Sequence, residues 1–212
     1  RSNPTEDAAL SLDFSDGSLC SFERCEGLDD LIGDGAWART ELFNLSYGRH
    51  GRVLYLMDPT NRWLSNASVR SVWSRRLDEE TPINRPWSLR LTMRTWRSYM
   101  AGDADFPVIY LLDRENPGMG LGLCAEPWNG RIYGAFRQWG SWYSLGSVDP
   151  GEMWRCYELA YDPAGRKVRF SVDGEAVGVE RNLVKPVCPD RICIASNPVG
   201  EIQLWIGELS VC

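Results

Sequence analysis

The stretch that most restricts the fold of this chain runs from Trp154 to Gly178, WRCYELAYDPAGRKVRFSVDGEAVG. Tyr157 to Tyr161 is short and rich in apolar residues. Asp162-Pro163-Ala164-Gly165 then supplies turn chemistry, with Pro163 presetting its own φ and Gly165 admitting a positive φ. Lys167 to Val172 alternates charged and apolar side chains, the pattern of a strand with one buried face. Asp173-Gly174 follows, a strong signal for a two-residue hairpin, because a type I′ turn needs positive φ at both central positions. Two turns between short alternating segments make an antiparallel meander and place the chain among all-β proteins.

The remaining segments agree with that class. Leu10 to Phe14, Arg52 to Met57, Ser68 to Leu77, Leu121 to Cys124, Arg131 to Arg137, Trp142 to Leu145, Ile192 to Ala195 and Ile202 to Ile206 read as strands. The cleanest is Trp87 to Trp96. Trp87, Leu89, Leu91, Met93 and Thr95 fall on one face; Ser88, Arg90, Thr92, Arg94 and Trp96 fall on the other, as expected of an antiparallel sheet with one wet side. Val108 to Leu112 is continuously apolar and is expected to be buried on both faces. No window shows capped helical periodicity. About a dozen short strands separated by turns predict a two-sheet antiparallel sandwich or a barrel. Residues 1–9 are expected to be a flexible lead-in and 10–212 a single domain.

The length of 212 residues suits one such domain, and 43% hydrophobic with 25% charged residues excludes a disordered chain. No apolar run approaches the roughly 20 residues of a membrane span. The net charge of −6 argues against nucleic acid as the main partner, since phosphate contacts need a basic face. Arginines are dense from Arg70 to Arg97 and are read as outward-pointing strand positions in water. The chain starts at Arg1 without a signal peptide and is expected to be a processed or trimmed ectodomain.

Seven cysteines point to an oxidising compartment. Cys20/Cys25 and Cys188/Cys193 are each five residues apart, which is neither a zinc nor a redox spacing. The sole histidine, His50, argues against a mixed Cys/His zinc site. Pairing within each couple, with Cys124–Cys156 as a third bridge, is one connectivity among many that the spacing permits. Cys212 is then left over, as a free thiol, an intermolecular bridge or half of a bond to a trimmed partner. Asn44-Leu45-Ser46 and Asn66-Ala67-Ser68 are N-glycosylation sequons. Together these features predict a secreted or cell-surface glycoprotein stapled by disulfides.

The opening LDFSDGSLCSFERCE, Leu12 to Glu26, resembles the start of MAM domains. Trp37 and Arg39 resemble that family's W-x-R element, Arg52 to Met57 one of its strands, Trp87 to Thr92 its "C-L-R-F" strand, and Gly207 to Cys212 its closing segment. The family's cysteine before "L-R-F" is replaced by Trp87-Ser88, and its closing aspartate pair is absent. The Trp154–Gly178 hairpin is more similar to laminin-G-like and pentraxin modules. What these resemblances share is the concanavalin A-like jelly roll, here as a divergent MAM/laminin-G-like domain. They imply a non-enzymatic recognition or adhesion role, with a protein partner at a cell surface or in the matrix, homophilic assembly included. A lectin-like carbohydrate-binding role is the alternative, and a glycosidase relative ranks below it.

Few residues nominate chemistry. Glycoside hydrolysis needs two carboxylates facing one bond. Asp113 and Glu115 have the spacing, but Asn116-Pro117-Gly118 makes them turn residues, read as solvated acids. His50 lies in a turn with no nominated base partner or nucleophile. GMGLGLC, 118–124, reads as a turn and a glycine-containing strand. Calcium is the one cofactor weighed, with Asp29, Asp30 and Asp34 in a Gly-rich acidic loop as the candidate ligands. Of ten tryptophans, most are expected in the core. Trp139 and Trp142, in Gly-rich sequence, are the candidate ligand-contact residues, acting beside neighbouring acids.

Overall fold

A computed structural model describes residues 10–12, 23–24, 39–44, 52–57, 72–77, 84–97, 106–113, 115–116, 118–125, 131–195 and 202–212. The described strands are β1 (Leu10–Leu12), β2 (Glu23–Arg24), β3 (Arg39–Asn44), β4 (Arg52–Met57), β5 (Val72–Arg76), β6 (Trp87–Arg97), β7 (Phe106–Leu112) and β8 (Gly120–Ala125). They continue with β9 (Ile132–Gln138), β10 (Ser141–Val148), β11 (Arg155–Asp162), β12 (Lys167–Val172), β13 (Glu175–Asn182), β14 (Arg191–Ala195) and β15 (Ile202–Val211). One sheet runs β13-β12-β11-β6-β15-β4-β3, with β1 also paired to β15; the other runs β10-β9-β8-β7-β14-β5-β2. All of these pairings are antiparallel. The expected two-sheet antiparallel sandwich is what forms. No helix among the described residues is long and apolar enough to cross a membrane.

The alternation in β6 sets the first sheet. Trp87, Leu89, Leu91, Met93 and Thr95 are all 5% exposed or less, on the face the period-two pattern assigned to the core. Their ladder partners Leu159, Tyr157, Ile206 and Leu209 lie on the same face and join the same cluster. The second sheet contributes Ile109, Leu111, Leu121, Leu123, Ala125, Ile132, Phe136, Ile192 and Ile194 from the opposite side. Burying a side chain of this size contributes roughly 1.5–3 kcal/mol, so the interdigitated face of each sheet, rather than any polar contact, carries the stability.

The Trp154–Gly178 meander forms β11, β12 and the start of β13. Asp173 (φ 54) and Gly174 (φ 85) make the type I′ turn. Asp173 closes it, accepting from Cys156 N–H at 2.9 Å and from Arg155 at 3.0 Å. In the preceding turn the left-handed residue is Arg166 (φ 51), not Gly165. Arg166 is held by its own guanidinium, which donates to the Val184 carbonyl. Gly165 is small because Lys167 lies over it; a Cβ there would come within 3.0 Å of Lys167 Cγ.

The sandwich is pinned along one edge by two glycines. Gly146 on β10 and Gly178 on β13 (φ 73) approach so closely that a Cβ on Gly146 would sit 2.6 Å from Gly178 Cα. A Cβ on Gly178 would strike the Leu145 carbonyl. Only glycine permits both the positive φ and the contact.

The cysteines correct the expected pairing. Cys124 lies on the outward face of β8, and Cys156 on the outward face of β11 in the other sheet. Cys124 pairs across the ladder with Tyr133, and Cys156 with Thr92. Two sheets about 10 Å apart lie between them, beyond the reach of a disulfide, so the Cys124–Cys156 bridge is not formed. Cys156 is a free thiol that accepts from Arg90 Nε at 3.4 Å, and Cys212 is a free, exposed thiol. Cys188 is exposed and Cys193 is buried on the outward face of β14. Cys20 and Cys25 lie outside the described residues.

Two outcomes follow. Gly178→Ala should lower stability by more than about 2 kcal/mol, read as a shift of the urea midpoint at unchanged slope. Peptide mapping of non-reduced protein should recover Cys156 as an unlinked, alkylatable thiol and give no Cys124–Cys156 peptide.

Candidate functional site

The parity that turns Ile109, Leu111, Leu121, Leu123 and Phe136 inward turns Tyr110, Gly122, Cys124, Tyr133, Ala135 and Arg137 to the other face of the second sheet. This outward face is not a wet surface. Tyr110, Cys124, Ala135 and Cys193 are 1% exposed or less, and Cys124, Tyr133 and Ala135 form an apolar cluster separate from the core, with Trp142 packed against it. The expectation that Val108 to Leu112 is covered on both faces therefore holds for Ile109 to Leu112.

Trp142 stands opposite Arg137 across the β9–β10 ladder. Its ring meets Tyr110 edge-on at 5.8 Å, and the Arg137 guanidinium lies 5.8 Å from its centroid. Gly122 makes the room. A Cβ there would sit 3.1 Å from Trp142 Cη2 and 2.5 Å from Tyr110 Cβ. At the far end of the same strand pair, Arg131 donates to the Ser147 hydroxyl at 2.9 Å and to its carbonyl at 2.8 Å.

Trp139 occupies the tip of the β9–β10 hairpin. It is 71% exposed and holds φ 51, with Gly140 at φ 82 completing the two-residue turn. A bulky residue with positive φ is uncommon and strained. The tip is tied down by the Gly140 N–H donating to the Gly118 carbonyl at 3.3 Å. Thus an exposed indole, a half-buried indole and a guanidinium share one end of this sheet.

Arg137 is the least comfortable group there. It is 6% exposed, its Nε has no hydrogen-bond partner, and among the described residues no carboxylate pairs with it. Burial pushes its guanidinium below the ordinary arginine pKa. A stacked indole returns about 0.5–2 kcal/mol, whereas burying an unpaired charge costs several. The cross-strand row that holds Arg137 and Trp142 continues through Gly120 and Leu112 to Arg191 and Arg76. The strand of Arg137 and its two neighbours, β8 and β10, contain no Asp or Glu.

Trp139 stands at the tip of the hairpin whose β10 strand carries Trp142, and the group beside Trp142 is an arginine rather than an acid. Arg137 was missed because it reads as one more strand arginine. The available signal was the Trp139-Gly140 pair, which as a two-residue turn sets the register that puts Arg137 opposite Trp142. Asp113 is not a solvated acid. It is 8% exposed and caps its own turn, Oδ1 accepting from the Glu115 and Asn116 N–H groups and Oδ2 from that of Cys188, each at 3.1 Å. Asn44 ends β3, while Asn66, His50 and the calcium candidates Asp29, Asp30 and Asp34 lie outside the described residues. Among the described residues, no group of three acids, cysteines or histidines could hold a metal ion.

Structural comparison places this geometry. The chain resembles the cellulose-induced protein Cip1, with a TM-score of 0.66 and 11% identity over 96% of both chains. It also resembles the Bacillus licheniformis β-glucanase, with a TM-score of 0.60 and 11% identity over 95% of this chain and 96% of that one. The binding domain of botulinum neurotoxin DC, solved in complex with SialylT, matches at a TM-score of 0.56 and 11% identity over 84% of this chain and 41% of that chain. The fold is a jelly-roll sandwich. No family model matches the sequence, and no curated protein does.

If Arg137 is an uncompensated charge, its removal relieves the fold. Arg137→Leu should leave the melting temperature unchanged or raise it by a few degrees, about 1 kcal/mol corresponding to roughly 2–4 °C at this size.

Proposed function

We propose that this domain is a lectin-like carbohydrate-binding module that receives a sugar at the β9–β10 end of the second sheet's outward face. The observation that carries the reading is the Trp142–Arg137–Tyr110 arrangement, with the exposed Trp139 beside it. Indole faces stack on the apolar C–H faces of pyranose rings and offer N–H donors at their edges. A hydrogen-bonding group fixed beside such a ring supplies orientation. The strained, exposed Trp139 is costly as scaffold and useful as contact.

Similar structures support this reading over the protein-adhesion role that the MAM resemblance implied. They include a β-glucanase and a toxin binding domain solved with SialylT. A binding role is favoured over hydrolysis because the described outward positions supply no carboxylate pair of the kind that cleaves a glycosidic bond. An extracellular setting accords with the sequons and the cysteine-rich composition.

The test is glycan-array screening followed by titration calorimetry. Trp142→Ala should weaken binding at least tenfold, and Trp139→Ala several-fold, with both variants folded by circular dichroism. Absence of binding to any saccharide class, or full binding by Trp142→Ala, would remove the proposal.

A further inference from the structure

Resting on the carbohydrate reading, we infer that the sugar is acidic, and that Arg137 is the residue that recognises its carboxylate. Arg137 is nine-tenths buried, carries a fixed positive charge and lacks both a counter-ion and a partner for Nε. A neutral glycan would leave that charge unanswered. A carboxylate would answer it, because its two oxygens match the planar guanidinium fork in a bidentate pair.

The setting favours an anion throughout. The protein carries a net charge of −6, yet β8, β9 and β10, the strand of Arg137 and its two neighbours, hold no Asp or Glu. Charges set in a low-dielectric wall act over longer range than charges in water. The approach is marked by Gly140. This exposed turn residue has space where its side chain would be, and the nearest atom a Cβ there would meet is Arg137 Nη2 at 3.6 Å. The guanidinium is thus buried under Trp142 while Nη2 lies against the exposed hairpin tip. A sugar ring stacked on Trp139 or Trp142 would bring an attached carboxylate to that edge. Arg94 on β6 also has an unpartnered Nε and lies over an indole, that of Trp205, but it is only half-buried; Arg137 is buried.

The experiment compares matched probes on the intact chain by titration calorimetry: sialyllactose, its carboxyl-reduced alcohol, trigalacturonate, neutral lactose, cellotriose and sulfated lactose. The expected result is binding of a carboxylated probe at least tenfold tighter than its reduced or neutral counterpart. Arg137→Gln should erase that preference without lowering the melting temperature, and Arg137→Lys should restore part of it. Equal binding of acid and reduced probes, with Trp142→Ala still weakening both, would overturn the carboxylate assignment and leave the carbohydrate reading intact. Tighter binding of sulfated lactose than of either carboxylate would also overturn it, reassigning Arg137 to sulfate esters. Failure of every probe and of the wider array would overturn both. A lowered melting temperature in Arg137→Gln with an unchanged acid preference would show that the guanidinium is structural.

Discussion

Strand parity governs the second sheet and, through it, everything that follows. Ile109, Leu111, Leu121, Leu123, Phe136, Ile192 and Ile194 must face the first sheet to complete the core. Because side chains alternate with period two, that requirement alone sends Tyr110, Gly122, Cys124, Tyr133, Arg137 and Cys193 to the other side. A slip of one residue in β9 would turn Arg137 into the core and Phe136 out of it, a loss of several kcal/mol. The position of Arg137 beside Trp142 is therefore enforced by the hydrophobic core behind it, not by any attraction between the two.

How much of this is legible in the sequence depends on how local the cause is. β6 and β12 announce themselves because alternation is read directly from the residues, and the Asp173-Gly174 turn because its chemistry is confined to two positions. β3 and the two-residue β2 give no comparable signal; Arg39–Asn44 mixes charged, polar and apolar residues, and its pairing with β4 is set by tertiary context. The Arg166 turn misleads for a related reason. A glycine was available to take the positive φ, yet the side-chain bond to Val184 secures arginine there instead. The Cys124–Cys156 pairing failed because spacing carries no information about which sheet, or which face, a strand joins.

The two outward faces also differ in a way composition conceals. On the first sheet, Arg90 is exposed and leans on Cys156, an ordinary solvated position of the kind the sequence suggested for all the arginines. On the second, Arg137 is likewise an arginine in mid-strand, and has a wholly different environment. What separates them is the second apolar cluster, built from Cys124, Tyr133 and Ala135 under Trp142. Small residues make it possible: Gly122 and Ala135 let the indole lie close to the sheet.

Two costs coincide at one end of this sheet. Trp139 holds a backbone conformation that a glycine or asparagine would adopt more readily, and it spends its indole in solvent. Arg137, two residues earlier, is buried without a counter-charge. Each is of order 1–3 kcal/mol or more, a large share of the 5–15 kcal/mol that separates folded from unfolded domains. Neither cost is needed to form the hairpin, since Asn-Gly would close the same type I′ turn and an aliphatic residue at 137 would pack against Trp142 without a desolvated charge. Nor do the two relieve one another, because the exposed indole is not the one stacked on the guanidinium. The expense of this arrangement is unexplained by folding, and the proposed sugar contact would account for both of its members.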